Sequence, residues 1–198
     1  MLNYDGHDFY AHHRRFDTSF APIAALGFRG NFMRYAYDFV PVDAQGEAHG
    51  GDGKDNHAWF GFGRDVLASA DGVVVATENT RPDDRQFDQA KLATQPWVLF
   101  GNYVLIDYGN GRFGVYAHLQ QGSVSAKVGA RVQRGATIAR IGASGSAMFP
   151  HLHYQVQDGP TLQAEGLPSH FENIRAAAAS SAPGVLRSVD TGEIVRGD

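Results

Sequence analysis

The stretch Pro150-His151-Leu152-His153-Tyr154-Gln155-Val156-Gln157 sets the tightest limit on what this chain can fold into. Apolar and polar residues alternate through it, with Tyr and Val among the apolar ones, and this predicts a half-buried β-strand. Alternate residues of a strand share a face. His151, His153, Gln155 and Gln157 then point one way, and Leu152, Tyr154 and Val156 the other, into a core. Two imidazoles on one face sit about 7 Å apart, twice the strand rise. That spacing suits one ring on a metal and its neighbour against whatever the metal binds. A His-x-His pair taken alone reads as two surface histidines. Here Gly142-Ala143-Ser144-Gly145-Ser146 precedes it, a turn able to bring backbone close to a ligand.

Any metal on such a face must be held by imidazole and carboxylate. The chain has no cysteine and nine histidines, which also excludes a disulfide framework and a thiol nucleophile. A net charge of −4 with no basic run leaves no footprint for nucleic acid. No apolar stretch is long enough for a membrane span. No basic-then-apolar signal opens the sequence. The compartment expected is therefore the periplasm or the exterior if a signal peptide is missing from this sequence, and the cytoplasm otherwise.

The 198 residues, 24 of them Gly, predict one turn-rich β domain. Residues 1–27 form an N-terminal arm with His7, His12 and His13, and with a short helix from Phe20 to Leu26 stopped by Gly27. Adjacent residues of a strand point apart, so His12 and His13 read as packing or exposed residues rather than a chelating pair. Arg34 to Val42 alternates as a strand, with Tyr35, Tyr37 and Phe39 on one face and Arg34, Ala36, Asp38 and Val40 on the other. Asp38 is a single carboxylate in an aromatic run, and such a group needs a metal or an ion pair. Arg34, four residues back, is the pairing candidate.

The Gly-, Asp- and His-rich loop from Asp43 to His57 and the polar insertion from Asn79 to Pro96 are predicted to flank a groove; a short helix is expected near Phe87–Leu92. Asp71-Gly72 between apolar runs predicts a hairpin. Asn102–Tyr108 and Phe113–Leu119 are strands joined by the Gly109-Asn110-Gly111 turn, with Tyr116 and His118 sharing one face. Two further short strands lie within Val124–Val132 and Ala136–Ile141. In the C-terminal extension, 171–198, one short helix is expected over Phe171–Ala179. Many short, closely spaced strands give an antiparallel β architecture.

The runs Tyr35-Ala36-Tyr37-Asp38-Phe39, Val66-Leu67-Ala68 with Asp71-Gly72-Val73-Val74, Gly101-Asn102-Tyr103-Val104 and Tyr116-Ala117-His118-Leu119 come in this order. Gly129, Val132, Arg134-Gly135 and then Gly142, Ser144-Gly145-Ser146 and Pro150-His151-Leu152-His153 follow. Together they resemble the M23 family of zinc metallopeptidases, the lysostaphin and LytM-type peptidoglycan endopeptidases, over a core of residues 28–170. The resemblance implies a mainly β fold, an antiparallel sheet groove of the LytM/lysostaphin type. It implies one zinc with Asp38 and His153 as ligands, and His118 and His151 as catalytic residues flanking the metal-bound water. It implies peptides of bacterial peptidoglycan as substrate.

The pattern departs in one place. The family's remaining ligand is a His, most often four residues before the Asp, and Arg34 stands there. His12 or His13 from the arm, or the carbonyl oxygen of Asn31, is the candidate to complete the site. Otherwise Arg34 pairs with Asp38 in place of metal. The competing function is then a non-catalytic module of the same fold that binds peptidoglycan or a partner hydrolase. A biotinyl- or lipoyl-like carrier ranks last, because Lys54, Lys91 and Lys127 do not sit on the hairpin tip it needs.

Overall fold

A computed structural model describes residues 1–172, 174–176 and 188–197. Its strands are β1 (Leu2–Asp5), β2 (Tyr37–Val40), β3 (Asp65–Leu67), β4 (Gly72–Glu78), β5 (Asn102–Gly109) and β6 (Arg112–Leu119). They continue with β7 (Arg131–Val132), β8 (Thr137–Arg140), β9 (Leu152–Gln157), β10 (Gly166–Leu167), β11 (Ile174–Ala176) and β12 (Val195–Gly197). One sheet runs β1-β2-β9-β6-β5-β4-β7, with β10 also on β9; β3 pairs with β8 and β11 with β12. The strand pairs are antiparallel. The fold is mainly β, as the alternating pattern predicts. No helix among the described residues is long and apolar enough to cross a membrane.

The middle of the large sheet, β2, β9 and most of β6, is buried on both faces, so its alternation separates two kinds of interior. Tyr37, Phe39, Tyr116, Tyr154 and Val156 pack with Val66 and Ile138 from the small β3–β8 sheet and with Ala68 just after β3. The opposite face meets a second core of Phe28, Phe32, Phe100, Leu105, Val115 and Ala117. The polar row His153, Gln155, Gln157 lies on this second face and is fully enclosed, at 1%, 0% and 0% exposure.

Four expectations change. The strand at Arg34–Val42 is confined to Tyr37–Val40, because residues 31–36 turn through Arg34 N–H to Asn31 O and Ala36 N–H to Met33 O. Asp71-Gly72 makes no hairpin: β3 pairs with β8, while β4 pairs with β5 and β7. Gly72 is there for close approach, since a Cβ would lie 2.5 Å from the Asp107 carbonyl oxygen. The helix expected at Phe171–Ala179 is replaced at Ile174–Ala176 by β11, which finds β12 as a partner, and residues 173 and 177–179 lie outside the described residues. The short helix of the arm does form, as α1 (Ala21–Ala24), and the insertion carries a single 3-10 turn at Gln89–Lys91.

Candidate metal centre

Sheet register places the site. In β2 and β9 Asp38 stands directly opposite His153, and His153 stands opposite Ala117 of β6. On the other side Asp5 of β1 stands opposite Asp38. One row across four strands thus carries Asp5, Asp38, His153 and the neighbour of His118. His151 immediately precedes β9.

His118 reaches this face against the parity of its strand. Asn102 pairs with Leu119 and Tyr103 with Ala117, so His118 is the extra residue of a β-bulge. Its φ of 58° is uncommon for a side chain other than Gly or Asn. The bulge turns it away from the Tyr116 face, where simple alternation puts it, and brings its ring 4.7 Å from that of His151.

The fourth imidazole comes from the arm. His13 Nε2 lies 3.8 Å from Asp38 Oδ2, while His153 Nδ1 and His151 Nε2 lie 3.0 and 3.4 Å from Asp38 Oδ1. Ligand atoms of His13, Asp38 and His153 all fall within 4.8 Å of one another, and all three residues are buried. His12 does not reach the centre; its exposed ring faces Asp5, 3.4 Å away. Asn31 is no ligand either. Its Oδ1 accepts the Met33 N–H and its Nδ2 donates to the His13 carbonyl, so it fixes the backbone that carries His13. Arg34 turns away and pairs with Glu165, leaving Asp38 to the histidines.

Each imidazole is also held from outside. His118 Nδ1 donates to the Ser144 carbonyl (2.9 Å) and His151 Nδ1 to the Phe149 carbonyl (2.8 Å). His153 Nε2 meets Gln155 Oε1 at 2.8 Å. His13 Nδ1 lies 2.5 Å from Asp5 Oδ2. The Ser144 carbonyl is set by two glycines in contact: a Cβ on Gly101 would lie 2.4 Å from Ser144 C, and one on Gly145 2.4 Å from Gly101 N. Phe149 is fixed by stacking on Trp59, with ring centroids 5.1 Å apart and planes 7° apart.

Burial pushes Asp38 up, but His13 and His151 outweigh it and hold its carboxyl well below the usual range. Asp5 follows the same logic: burial raises it, and hydrogen bonds from His12 and His13 bring it down. Burial holds His118 well below the ordinary imidazole value, helped by His151 and His153. Burial also lowers His153 despite Asp38. In His151 burial is outweighed by Asp38, whose charge raises it. The centre therefore sets one neutral imidazole beside one that favours its protonated form.

The loop and the insertion are tied to each other and to the turn before His151. Asn56 Nδ2 donates to the Asp83 carbonyl and Arg85 Nε to Asn56 Oδ1, while the Asp83 carboxylate accepts the Ala143 N–H. A cavity of about 310 Å³ between the insertion and Gly101–Gly145 is lined by none of the four histidines.

The sequence points to Asp38, His118, His151 and His153, and the fold brings these four together. It misses Asp5, whose only signal is the alternation Leu2-Asn3-Tyr4-Asp5 of an arm strand.

The family model described as Peptidase family M23 matches residues 58–164, just over half of the chain. No protein with a curated description matches the chain. Among solved structures, a Pseudomonas aeruginosa chain described as a peptidase M23 candidate is 25% identical over 48% of this chain and 34% of its own, with a TM-score of 0.37. The present chain thus spans about a third of that relative. A catalytic-domain variant of the prophage-encoded M23 protein EnpA from Enterococcus faecalis is 18% identical over 66% of this chain and 94% of its own (TM-score 0.42). The catalytic domain of lysostaphin from Staphylococcus simulans is 20% identical over 67% and 85% (TM-score 0.39).

Proposed function

We propose, from the premise that the chain belongs to peptidase family M23, that it is a zinc-dependent endopeptidase cutting peptide bonds of bacterial peptidoglycan. The observation that carries this reading is the buried convergence of His13, Asp38 and His153.

The donor set fits the metal. A catalytic zinc takes three protein ligands from imidazole and carboxylate and keeps a fourth position open. Ligand atoms at the corners of such a tetrahedron are about 3.3 Å apart, from bond lengths near 2.0–2.1 Å. His153 Nδ1 lies 3.0 Å from Asp38 Oδ1 and His13 Nε2 lies 3.8 Å from Asp38 Oδ2, and ligand atoms of the three residues lie within 4.8 Å of one another. The Asp5–His13 pair supplies the outer carboxylate that metal-bound histidines commonly have. His13 thus takes the place of the histidine that Arg34 displaces in sequence. When bound, zinc supplies a Lewis acid and a water acidified to near neutrality.

The remaining chemistry belongs to the chain. His118, kept neutral by burial with its Nδ1 on Ser144, offers Nε2 to accept a proton. His151, with Nδ1 on Phe149, offers Nε2 to donate one to the leaving amine. Trp59 and Phe149 hold the His151 carbonyl partner in place. Peptidoglycan lies outside the cytoplasm, and this reading puts the protein to work there.

Zinc content and hydrolysis of peptidoglycan, each measured on the whole chain and on His13→Ala, test the reading. One equivalent of zinc lost with His13, together with activity lost, supports it. A chain that takes up no zinc and still binds peptidoglycan is the non-catalytic module instead.

A further inference from the structure

His153, Gln155 and Gln157 follow one another on the enclosed face of β9, and their polar atoms form a single line. The two ends of a glutamine amide look alike, so its orientation has to be argued from its partners. Here the partners decide. The carbonyl oxygens of Gly159 and Thr161 lie 2.6 and 3.0 Å from one end of the Gln157 amide. Carbonyls only accept, so that end is the NH₂. Gln157 Oε1 then faces Gln155 at 2.7 Å and must accept, which turns the Gln155 NH₂ toward it. Gln155 Oε1 is left facing His153 at 2.8 Å and requires a proton on His153 Nε2.

In a neutral imidazole the other nitrogen then carries a lone pair. That nitrogen, Nδ1, lies 3.0 Å from Asp38 Oδ1, and an ionised carboxylate is an acceptor only. Two buried acceptors this close repel unless a cation lies between them. The backbone at Gly159 and Thr161 thus dictates, through two side chains, which atom of His153 meets the metal.

We propose that Gln155 and Gln157 are positioning residues of the metal centre: a ladder anchored on the Gly159 and Thr161 carbonyls that holds His153 as its Nε2–H tautomer and presents Nδ1 as the ligand atom. The proposal rests on the zinc peptidase reading and adds to it the device that sets the second imidazole ligand. It also explains polar side chains at two positions where a strand between apolar layers normally carries aliphatic ones. An apolar residue at 155 leaves His153 Nε2 without a partner and frees the ring to exchange its proton between nitrogens.

The test uses the full chain with ¹⁵N-labelled histidine. In metal-free protein at pH 8, long-range ¹H–¹⁵N spectra report which nitrogen of His153 carries the proton; in ¹¹³Cd-loaded protein, coupling identifies the ligating nitrogen. The expected result is a proton on Nε2 and coupling at Nδ1. Gln155→Met lowers zinc affinity about 10–100-fold, the usual worth of an outer partner of a ligand, and populates both tautomers. Gln157→Met, which frees the Gln155 amide to turn over, gives a mixed tautomer and a smaller loss.

A proton on Nδ1 or coupling at Nε2 in the unaltered chain would overturn the ladder, as would Gln155→Met with unchanged affinity and tautomer. If Gln155→Met does not fold, the nitrogen assignments of the unaltered chain and Gln157→Met decide alone. A chain with the Nε2 proton in place but no affinity for zinc sinks the peptidase reading and leaves the ladder standing. Equal zinc affinity with and without Gln155 does the reverse.

Discussion

Acid should loosen the N-terminal arm through His7, and the size of the effect follows from the structure. His7 is 8% exposed, stacks on Tyr37 with ring centroids 4.2 Å apart, and bonds through Nε2 to the Tyr35 carbonyl at 2.7 Å. Burial, with His170 and Arg14 nearby, lowers its pKa from 6.5 to about 4. The folded chain therefore refuses a proton that the unfolded chain accepts as pH falls through about 6.5. Above that value the contribution is fully present; it is lost progressively as pH falls toward 4. A shift of this size corresponds to about 3 kcal/mol in full, and roughly 2 kcal/mol of it is lost between pH 7 and pH 5. Urea unfolding at pH 7, 6 and 5, with chelator present, measures it against His7→Phe, which keeps the stack and does not titrate. The unaltered chain should lose about 2 kcal/mol more than the variant over that range. Parallel pH profiles for the two proteins would refute the argument.

Three further outcomes are expected. His13→Ala should weaken zinc binding by more than about 100-fold, since loss of an outer partner alone costs about 10–100-fold; equilibrium competition with a chelator reads it. Arg34→Ala should leave zinc affinity unchanged and cost at most about 1 kcal/mol, because its exposed partner is Glu165 and not Asp38; titration and thermal unfolding check both parts. His118→Ala and His151→Ala should keep zinc while slowing turnover by about 10²–10⁴-fold, the worth of acid–base help; loss of metal from either would contradict the roles assigned.

What the sequence reveals of this site depends on how local the determinant is. Asp38 and His153 can be read from strand alternation, because each sits in a regular strand and the period of two is obeyed across the β2–β9 pair. His118 is identified as a site residue, but its face is not, since the bulge that turns it depends on how β6 meets Asn102 of β5. Asp71-Gly72 carries the composition of a hairpin and yet joins strands of different sheets, because the pairing partners β8 and β7 lie about sixty residues further along. In the sequence the third ligand stays open between His12, His13, the carbonyl oxygen of Asn31 and none. The choice of His13 over His12 is made by burial and by Asp5, whose carboxylate accepts both their backbone N–H groups and meets the ring of His13.

On the zinc reading, the supply of a ligand from the arm instead of the strand of Asp38 has a physical consequence. A histidine one turn of chain away from Asp38 is positioned by the local backbone. His13 is positioned by Asn31 and by Asp5 of β1, which pairs with β2 and is itself held on its far side by the C-terminal segment. Asn3 donates through Nδ2 to the Val189 and Asp190 carbonyls and through its N–H to Glu193 O, Gly6 N–H donates to Thr191 Oγ1, and Thr191 N–H to Asp8 Oδ2. Val189 and Val195 fix that segment in the core at 0% and 2% exposure. Closing so long a loop costs chain entropy, and the hydrogen bonds of the two end segments and the two buried valines oppose that cost. On that reading the centre is complete only when both ends of the described chain are docked, so that metal affinity is coupled to docking of the ends.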